Sequence, residues 1–339
     1  HGKGRTVHFI DWDNPDNNTF RVINQFQVAC PVGQADKHIR PDLVLFVNGI
    51  PLVHVECKSP YAATPLEEAV NQLQRYANRR KALGVVDINE GNEQLFHYSQ
   101  FVVATCGTEA RVGTFSSLAV HFLEWKDTSP TPMAEVAAAL GKTTETLTSQ
   151  EKLIAGMLRP SHLLDIVRHF TLFMEAGGKT VKVVCRYQQF RAVQLAIQRL
   201  LTGKTRLQDG EQDRRGGIVW HTQGSGKSLT MVFLIRKLRS DPTLRRFKVV
   251  VVTDRRDLQK QLGDTATLTD EVLTIVKPRK QGPRTISATE VLQDTLRLKG
   301  KGLVFAMIQK YRGEVLDANE PEEDDDTDVE GDVDLPMVA

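Results

Sequence analysis

The sequence predicts an α/β protein of two domains, and three observations carry that reading. Residues 41–58 place two apolar strands around Asn48-Gly49, and residues 64–76 follow with a helix. Residues 218–228 run from Ile218-Val219-Trp220 into a loop ending in Gly226-Lys227-Ser228, after which Leu229 to Leu238 reads as another helix. Val249 to Val252 and Leu303 to Gln309 are further strand-like runs in the second half, so strands and helices mix along the whole chain. A length of 339 residues accommodates about two domains.

Taken in order, Val7 to Ile10 reads as a strand, Asp11 to Asn18 as a polar turn-rich stretch, and Phe20 to Cys30 as two short strands. Asp11 and Asp13 fit either metal ligation or ordinary turn chemistry. The hairpin carries Asp42 before its first strand and Glu56-Cys57-Lys58 at the end of its second. Side chains alternate along a strand, so Glu56 and Lys58 share a face, with Val53, Val55 and Cys57 on the other. Two neighbouring carboxylates hold a divalent cation, and a lysine beside them orients a water or faces the charge developing on a phosphorane. A strict two-residue turn would pair Asp42 with Val55, on the wrong face. The pattern therefore requires an irregularity between Val47 and Val53, where Pro51 cannot donate a ladder hydrogen bond. His54 shares the Glu56 face and reads either as site lining or as a packed histidine.

Pro41-Asp42, thirteen residues, then Glu56-Cys57-Lys58 resembles the core of the PD-(D/E)xK nucleases. Thr64-Pro65-Leu66-Glu67 reads as a capping-box start, and Gln72 and Tyr76 stand at i and i+4 on that helix. In nucleases of this kind such a Q-x-x-x-Y pair contacts DNA or supports the site. The resemblance extends that role to Gln72 and Tyr76. Phe101 to Cys106 and Arg111 to Phe115 complete the strands, and the domain is expected to end near Trp125-Lys126. Asp127 to Pro132 reads as a linker, followed by amphipathic helices over Thr146–Leu158 and Ser161–Glu175.

Thr222-Gln223-Gly224-Ser225-Gly226-Lys227-Ser228 is a phosphate-binding loop between an expected strand and helix. Gly224 and Gly226 let the backbone aim N–H groups at phosphate oxygens, and the helix N-terminus favours the anion. Lys227 would reach the β/γ phosphates of ATP and Ser228 would ligate Mg²⁺. His221 stands where the full pattern has glycine, and the wording is similar to that of superfamily-2 helicases and translocases. In that family a glutamine upstream reads adenine. Gln189 in Arg186-Tyr187-Gln188-Gln189-Phe190 fits best, with Gln188 as the alternative. Thr253-Asp254-Arg255-Arg256 resembles the segment that grips DNA phosphates, which implicates Thr253, Arg255 and Arg256. Gln309-Lys310-Tyr311 is similar to a later motor segment, although Ala306 and Met307 replace its usual threonines. No Asp-Glu-x-His or arginine finger follows, so unaided turnover of ATP is not expected from this chain.

Composition agrees with this reading. From Glu314 onward there are 12 acidic and no basic residues, which leaves 30 acidic against 44 basic elsewhere, a net of about +14. A body that basic suits a polyanion such as DNA. The tail at 314–339 has the composition of disorder. Cys30, Cys57, Cys106 and Cys185 form no C-x-x-C or Cys/His cluster, which argues against zinc and for a reducing cytoplasm. No apolar run of ~18 residues suggests a membrane span.

A PD-(D/E)xK nuclease ahead of a superfamily-2 motor resembles the restriction (R) subunit of type I restriction-modification enzymes. The expected organisation is a nuclease domain at 1–126, a linker with connecting helices at 127–180, a first RecA-like motor lobe at 181–313, and the tail. The resemblance implies ATP-driven translocation of double-stranded DNA and Mg²⁺-dependent cleavage, with Asp42 and Glu56 holding the metal and Lys58 beside them. It also implies methylase and specificity subunits as partners. An N-terminal segment that can supply another acidic residue, and the later motor motifs, are expected beyond the two ends. The alternatives are a free-standing DNA-repair helicase–nuclease and an ATP- and DNA-binding module without turnover.

Overall fold

The computed structural model describes residues 8–176, 178–253, 258–259, 262–263, 273–282 and 284–307. The chain is mixed α/β and parts into two compact units between Ala192 and Val193.

The first unit is built on a five-stranded sheet. Its strands are β1 (Phe20–Asn24), β4 (Leu43–Val47), β5 (Ile50–Cys57), β6 (Phe101–Cys106) and β7 (Glu109–Gly113), in the order β1-β4-β5-β6-β7. The short β2 (Val28–Ala29) and β3 (His38–Ile39) pair with each other. β5 and β6 run parallel and the other neighbours are antiparallel. The parallel step needs a crossover. It is supplied by α1 (Pro65–Tyr76), whose Leu66, Ala69, Val70, Leu73 and Tyr76 recur at helical spacing and are buried. Ala69, Val70, Leu73 and Tyr76 form one core with Ile39, Phe96, Val102, Ala104 and Phe122. Truncating a side chain such as Leu73 there would cost about 2–5 kcal/mol.

The hairpin of β4 and β5 contains the required irregularity. Val47 pairs with Ile50 and Phe46 with Pro51, but Leu45 pairs with Val53, so Leu52 is an extra residue on β5. Beyond it Leu43 pairs with Val55, which carries Asp42 opposite Glu56. The Asn48-Gly49 turn has positive φ at both residues (50° and 83°), the geometry of a type I′ hairpin turn.

After β7 come α3 (Met133–Ala139), α4 (Ser149–Leu153) and α5 (Pro160–His169); a short α2 (Arg79–Ala82) precedes β6. A capping box closes α4, with Thr148 and Glu151 bonding each other's backbone N–H. The helix continues through a π-turn at Ile154–Leu158, where Gly156 lies directly beneath the buried Trp125 indole. The unit ends with an antiparallel pair, β8 (Thr171–Ala176) and β9 (Lys179–Val184). Buried Lys182 pins this hairpin to the rest of the unit. Its N–H donates to Ser116 Oγ (2.8 Å), its carbonyl accepts from Thr114 Oγ1 (2.7 Å), and its ammonium donates to the Ser99 carbonyl (2.6 Å). Burial pulls the Lys182 ammonium down to about 8.

α6 (Tyr187–Thr202) leads into the second unit, which contains α7 (Arg206–Asp209), α8 (Lys227–Ser240), β10 (Lys248–Thr253) and β11 (Leu273–Ile275). A hairpin of β12 (Arg279–Gln281) and β13 (Arg284–Ile286) follows, then α9 (Ala288–Arg297) and β14 (Gly302–Met307). β10, β14 and β11 form a parallel sheet with β14 at its centre. Buried Val304 and Ala306 of β14 pack with Ala288 and Val291 of α9. The apolar residues Leu229, Val232, Phe233, Ile235 and Leu238 of α8 are buried as well. Among the described residues no helix is long and apolar enough to cross a membrane.

Four expectations are corrected. Residues 8–10 form no strand; Val7 lies outside the described residues. Thr64 makes no side-chain cap bond, because its ψ of 65° turns its hydroxyl away from the first turn. The closed caps at Thr148, Thr205 and Ser287 all have ψ near 160°. The helix begun at Pro160 ends at His169, and Thr171–Ala176 is a strand. Residues 218–220 form no strand and have no ladder partner in the described structure; Ile218 is 94% exposed and Trp220 86%. Without paired N–H and C=O groups, three apolar residues have no reason to stay extended in a sheet.

Candidate active site and nucleotide loop

Three elements bring the first group of side chains together. Asp42 stands one residue ahead of β4, Glu56 lies near the end of β5, and Lys58 lies one residue beyond it, its N–H held by the Thr105 carbonyl (2.9 Å). Both Asp42 carboxylate oxygens accept protein donors: Oδ1 from Gln25 Nε2 (2.6 Å) and Oδ2 from the Cys57 N–H (2.8 Å). Lys58 Nζ donates to Glu56 Oε1 (2.8 Å) and to Gln72 Oε1 (2.6 Å). Gln72 Nε2 donates to Tyr76 Oη (2.6 Å), whose O–H donates to the Arg40 carbonyl (3.2 Å). The i, i+4 spacing on α1 thus becomes a relay of positioned groups ending on the lysine ammonium. A cleft of about 550 Å³ opens beside it, lined in part by Lys58, Glu67, Asn71, Gln72 and Arg75.

The electrostatics of this group are set by burial. Glu56 is 1% exposed. Desolvation pushes its carboxyl up to about 7, the Lys58 ammonium opposes the rise, and the Asp42 charge adds to it. Glu56 Oε2 is buried and has no hydrogen-bond partner. An orphaned carboxylate oxygen beside a second carboxylate fits a hard cation. Among the described residues no group of three or more His, Cys, Asp or Glu side chains is arranged for a metal. Asp42 and Glu56 are thus a pair of carboxylates and not part of a larger acidic cluster among the described residues.

His54 belongs to the core. Its ring is fully buried, lies 4.6 Å from the Phe96 ring, and bonds Ser99 Oγ through Nδ1 (3.1 Å); burial drives its pKa down to about 3. Asp11 serves the turn, accepting from the N–H groups of Asp13 and Asn14 and from the Asn17 amide, while Asp13 pairs with Arg168.

The second group of expected residues centres on the glycine-containing loop ahead of α8 and includes others placed elsewhere in the chain. Gly224 (φ 72°) and Gly226 (φ 74°) are left-handed, and Gly226 is the N-cap of α8, which begins at Lys227. The Ser225 N–H between them donates to the Thr222 carbonyl (3.4 Å). Ser225 Oγ donates to the Thr222 carbonyl (2.7 Å), and Lys227 Nζ donates to the carbonyls of Thr222 (3.0 Å) and His221 (3.2 Å). The lysine thus folds back over its own loop. Ser228, one residue on, is half-buried in the first turn of α8. Gln189 lies in the first unit, 2% exposed, with its Oε1 accepting from the Arg186 N–H (2.8 Å) at the start of α6. Thr253 ends β10, whereas Arg255, Arg256, Gln309–Tyr311 and the acidic tail lie outside the described residues.

Sequence reasoning missed Gln25 and the Cys57 N–H as partners of Asp42.

Comparison with known proteins finds family models that match two stretches of the chain. Residues 188–331 match the model described as SWI2/SNF2 ATPase. Residues 1–119 match the type I restriction enzyme R protein N terminus, so the chain joins an R-protein N-terminal region to an ATPase region. It is 33% identical over 310 residues to the type I restriction enzyme HindI endonuclease subunit of Haemophilus influenzae, covering 90% of this chain and 26% of that one. It is 30% identical over 330 residues to a Methanocaldococcus jannaschii relative with the same kind of name, the MjaIXP endonuclease subunit, covering 94% and 28%. The chain thus spans about a quarter of the length of these relatives.

Proposed function

We propose that this chain is the nuclease and first motor region of a type I restriction R subunit, cleaving double-stranded DNA and binding ATP to drive translocation. Residues 1–126 would be the PD-(D/E)xK domain, 127–180 the connection, and 181–313 the first RecA-like lobe. The carrying observation is the extra Leu52, which sets Asp42 opposite Glu56 while Gln72 fixes Lys58 on the same side.

Asp42 and Glu56 would hold Mg²⁺, which supplies Lewis-acid polarisation of a phosphate oxygen and a more acidic bound water. Lys58, its side chain 21% exposed, would orient the attacking water or face the charge on the phosphorane. Gln72 and Tyr76 hold that ammonium still, so little reorganisation accompanies the reaction. In the second unit the left-handed glycines, Ser225 and Lys227 would cradle the phosphates of ATP, with Ser228 on its Mg²⁺. Gln189 would read adenine, and Thr253 with Arg255 and Arg256 would grip DNA phosphates. Sequence recognition is left to methylase and specificity subunits, and the setting is cytoplasmic.

The test is Mg²⁺-dependent nicking of plasmid DNA by this chain, alone and with methylase and specificity subunits, beside Asp42→Ala and Lys58→Ala. Loss of nicking in both variants is expected. Nicking that survives both substitutions would refute the site.

A further inference from the structure

Asp42 is held from outside the β4–β5 hairpin by a residue in an uncommon conformation. Gln25 follows the last residue of β1 and has φ of 50°, in the left-handed region. Among the described residues only two other non-glycines share that sign, Asn48 and Asn78, both of the type whose short side chain tolerates it. Glutamine has no such excuse, so its presence there asks for a compensating contact. Two are present. The Gln25 N–H donates to the Asp42 carbonyl (2.8 Å), and its side-chain amide donates to Asp42 Oδ1 (2.6 Å). The β1–β4 pairing ends at Asn24 and Leu43; the Gln25 N–H makes the next rung of the same register, and the side-chain amide adds a contact to the Asp42 carboxylate that the ladder does not supply.

We infer that Gln25 is a positioning residue for Asp42, fixing the plane of its carboxylate so that the free lone pairs face the cation shared with Glu56. With Cys57 N–H on Oδ2, the carboxylate is held at both oxygens and cannot rotate about its terminal torsion without breaking a bond. An unheld Asp42 would spread over many orientations, because that torsion is broad for a carboxylate. This rests on Asp42 and Glu56 being a metal pair.

The experiment measures Mn²⁺ binding to the full chain by electron paramagnetic resonance, with nicking titrated against Mg²⁺. The variants are Gln25→Ala, Gln25→Asn and Asp42→Asn. Asparagine suits the left-handed backbone better than glutamine but is one methylene too short to reach Oδ1, so it separates the turn from the amide contact. Both Gln25 variants are expected to weaken Mn²⁺ binding about tenfold. The Mg²⁺ needed for half-maximal nicking should rise equally, with the rate restored at saturating Mg²⁺. If Asp42→Asn abolishes Mn²⁺ binding while Gln25→Asn binds like wild type, Gln25 serves the turn alone and the inference is overturned. If Asp42→Asn leaves Mn²⁺ binding intact, the metal pair itself is wrong and both readings fall.

Discussion

Replacing Glu56 by glutamine should stabilise the first unit in alkaline, metal-free solution. The folded chain holds the Glu56 carboxyl at about 7 against an ordinary 4.5, chiefly because the group is buried. A raised carboxyl means that the folded state binds the proton more tightly than the unfolded one. Stability from this group is therefore full below 4.5, falls as pH rises from 4.5 to about 7, and stays reduced above that. The difference between the two values corresponds to about 3 kcal/mol. Glutamine keeps the shape and cannot ionise, so it escapes the penalty, while losing the ionic part of its contact with Lys58. The net gain at pH 8 should be about 1–3 kcal/mol, shrinking toward zero at pH 4.5. Amide hydrogen exchange of peptides from residues 50–57, compared between the two chains at each pH in EDTA, reads this locally and cancels the intrinsic pH dependence of exchange. A gain independent of pH, or a loss at pH 8, would show that burial does not dominate Glu56.

Three further outcomes follow from the same geometry. Gln72→Leu removes the acceptor of Lys58 and the donor to Tyr76, and should lower nicking ten- to a hundredfold while the melting temperature moves by only a few degrees. Thr148→Ala should cost about 1 kcal/mol by urea unfolding, whereas Thr64→Ala, which removes no cap bond, should cost less than about 0.5. Gly156→Ala drives a methyl into the Trp125 indole and the Asp127 carbonyl, and should destabilise the unit by at least about 2 kcal/mol; unchanged Trp fluorescence and stability would count against this packing.

The first unit was largely legible because its signals are local. Asn48-Gly49 names its own turn, the alternation of residues 41–58 fixes the strands, and a clash of parity between Asp42 and Glu56 located the irregularity within Val47–Val53. Contacts made by distant residues were not legible: nothing near Gln25 in sequence points to Asp42, seventeen residues on. Thr171–Glu175 was misread as helix because Leu163, Leu164, Val167 and Phe170 set a helical period just before it, while the Gly177-Gly178 signal of a hairpin went unused. Ile218–Trp220 shows the opposite limit, since apolar residues mark a strand only where a neighbouring strand pairs with them.

The extra Leu52 also bears on how such sites are looked for in other chains. Thirteen residues separate Asp42 from Glu56, and that odd count works because one of them is unpaired. A regular hairpin with the same two-residue turn would present the same pair of carboxylates with an even count. A search pattern written with a fixed gap would therefore pass over a site of identical chemistry. What the geometry preserves is which residues sit across from each other, and a pattern allowing either count when a proline or other ladder breaker lies between would find both.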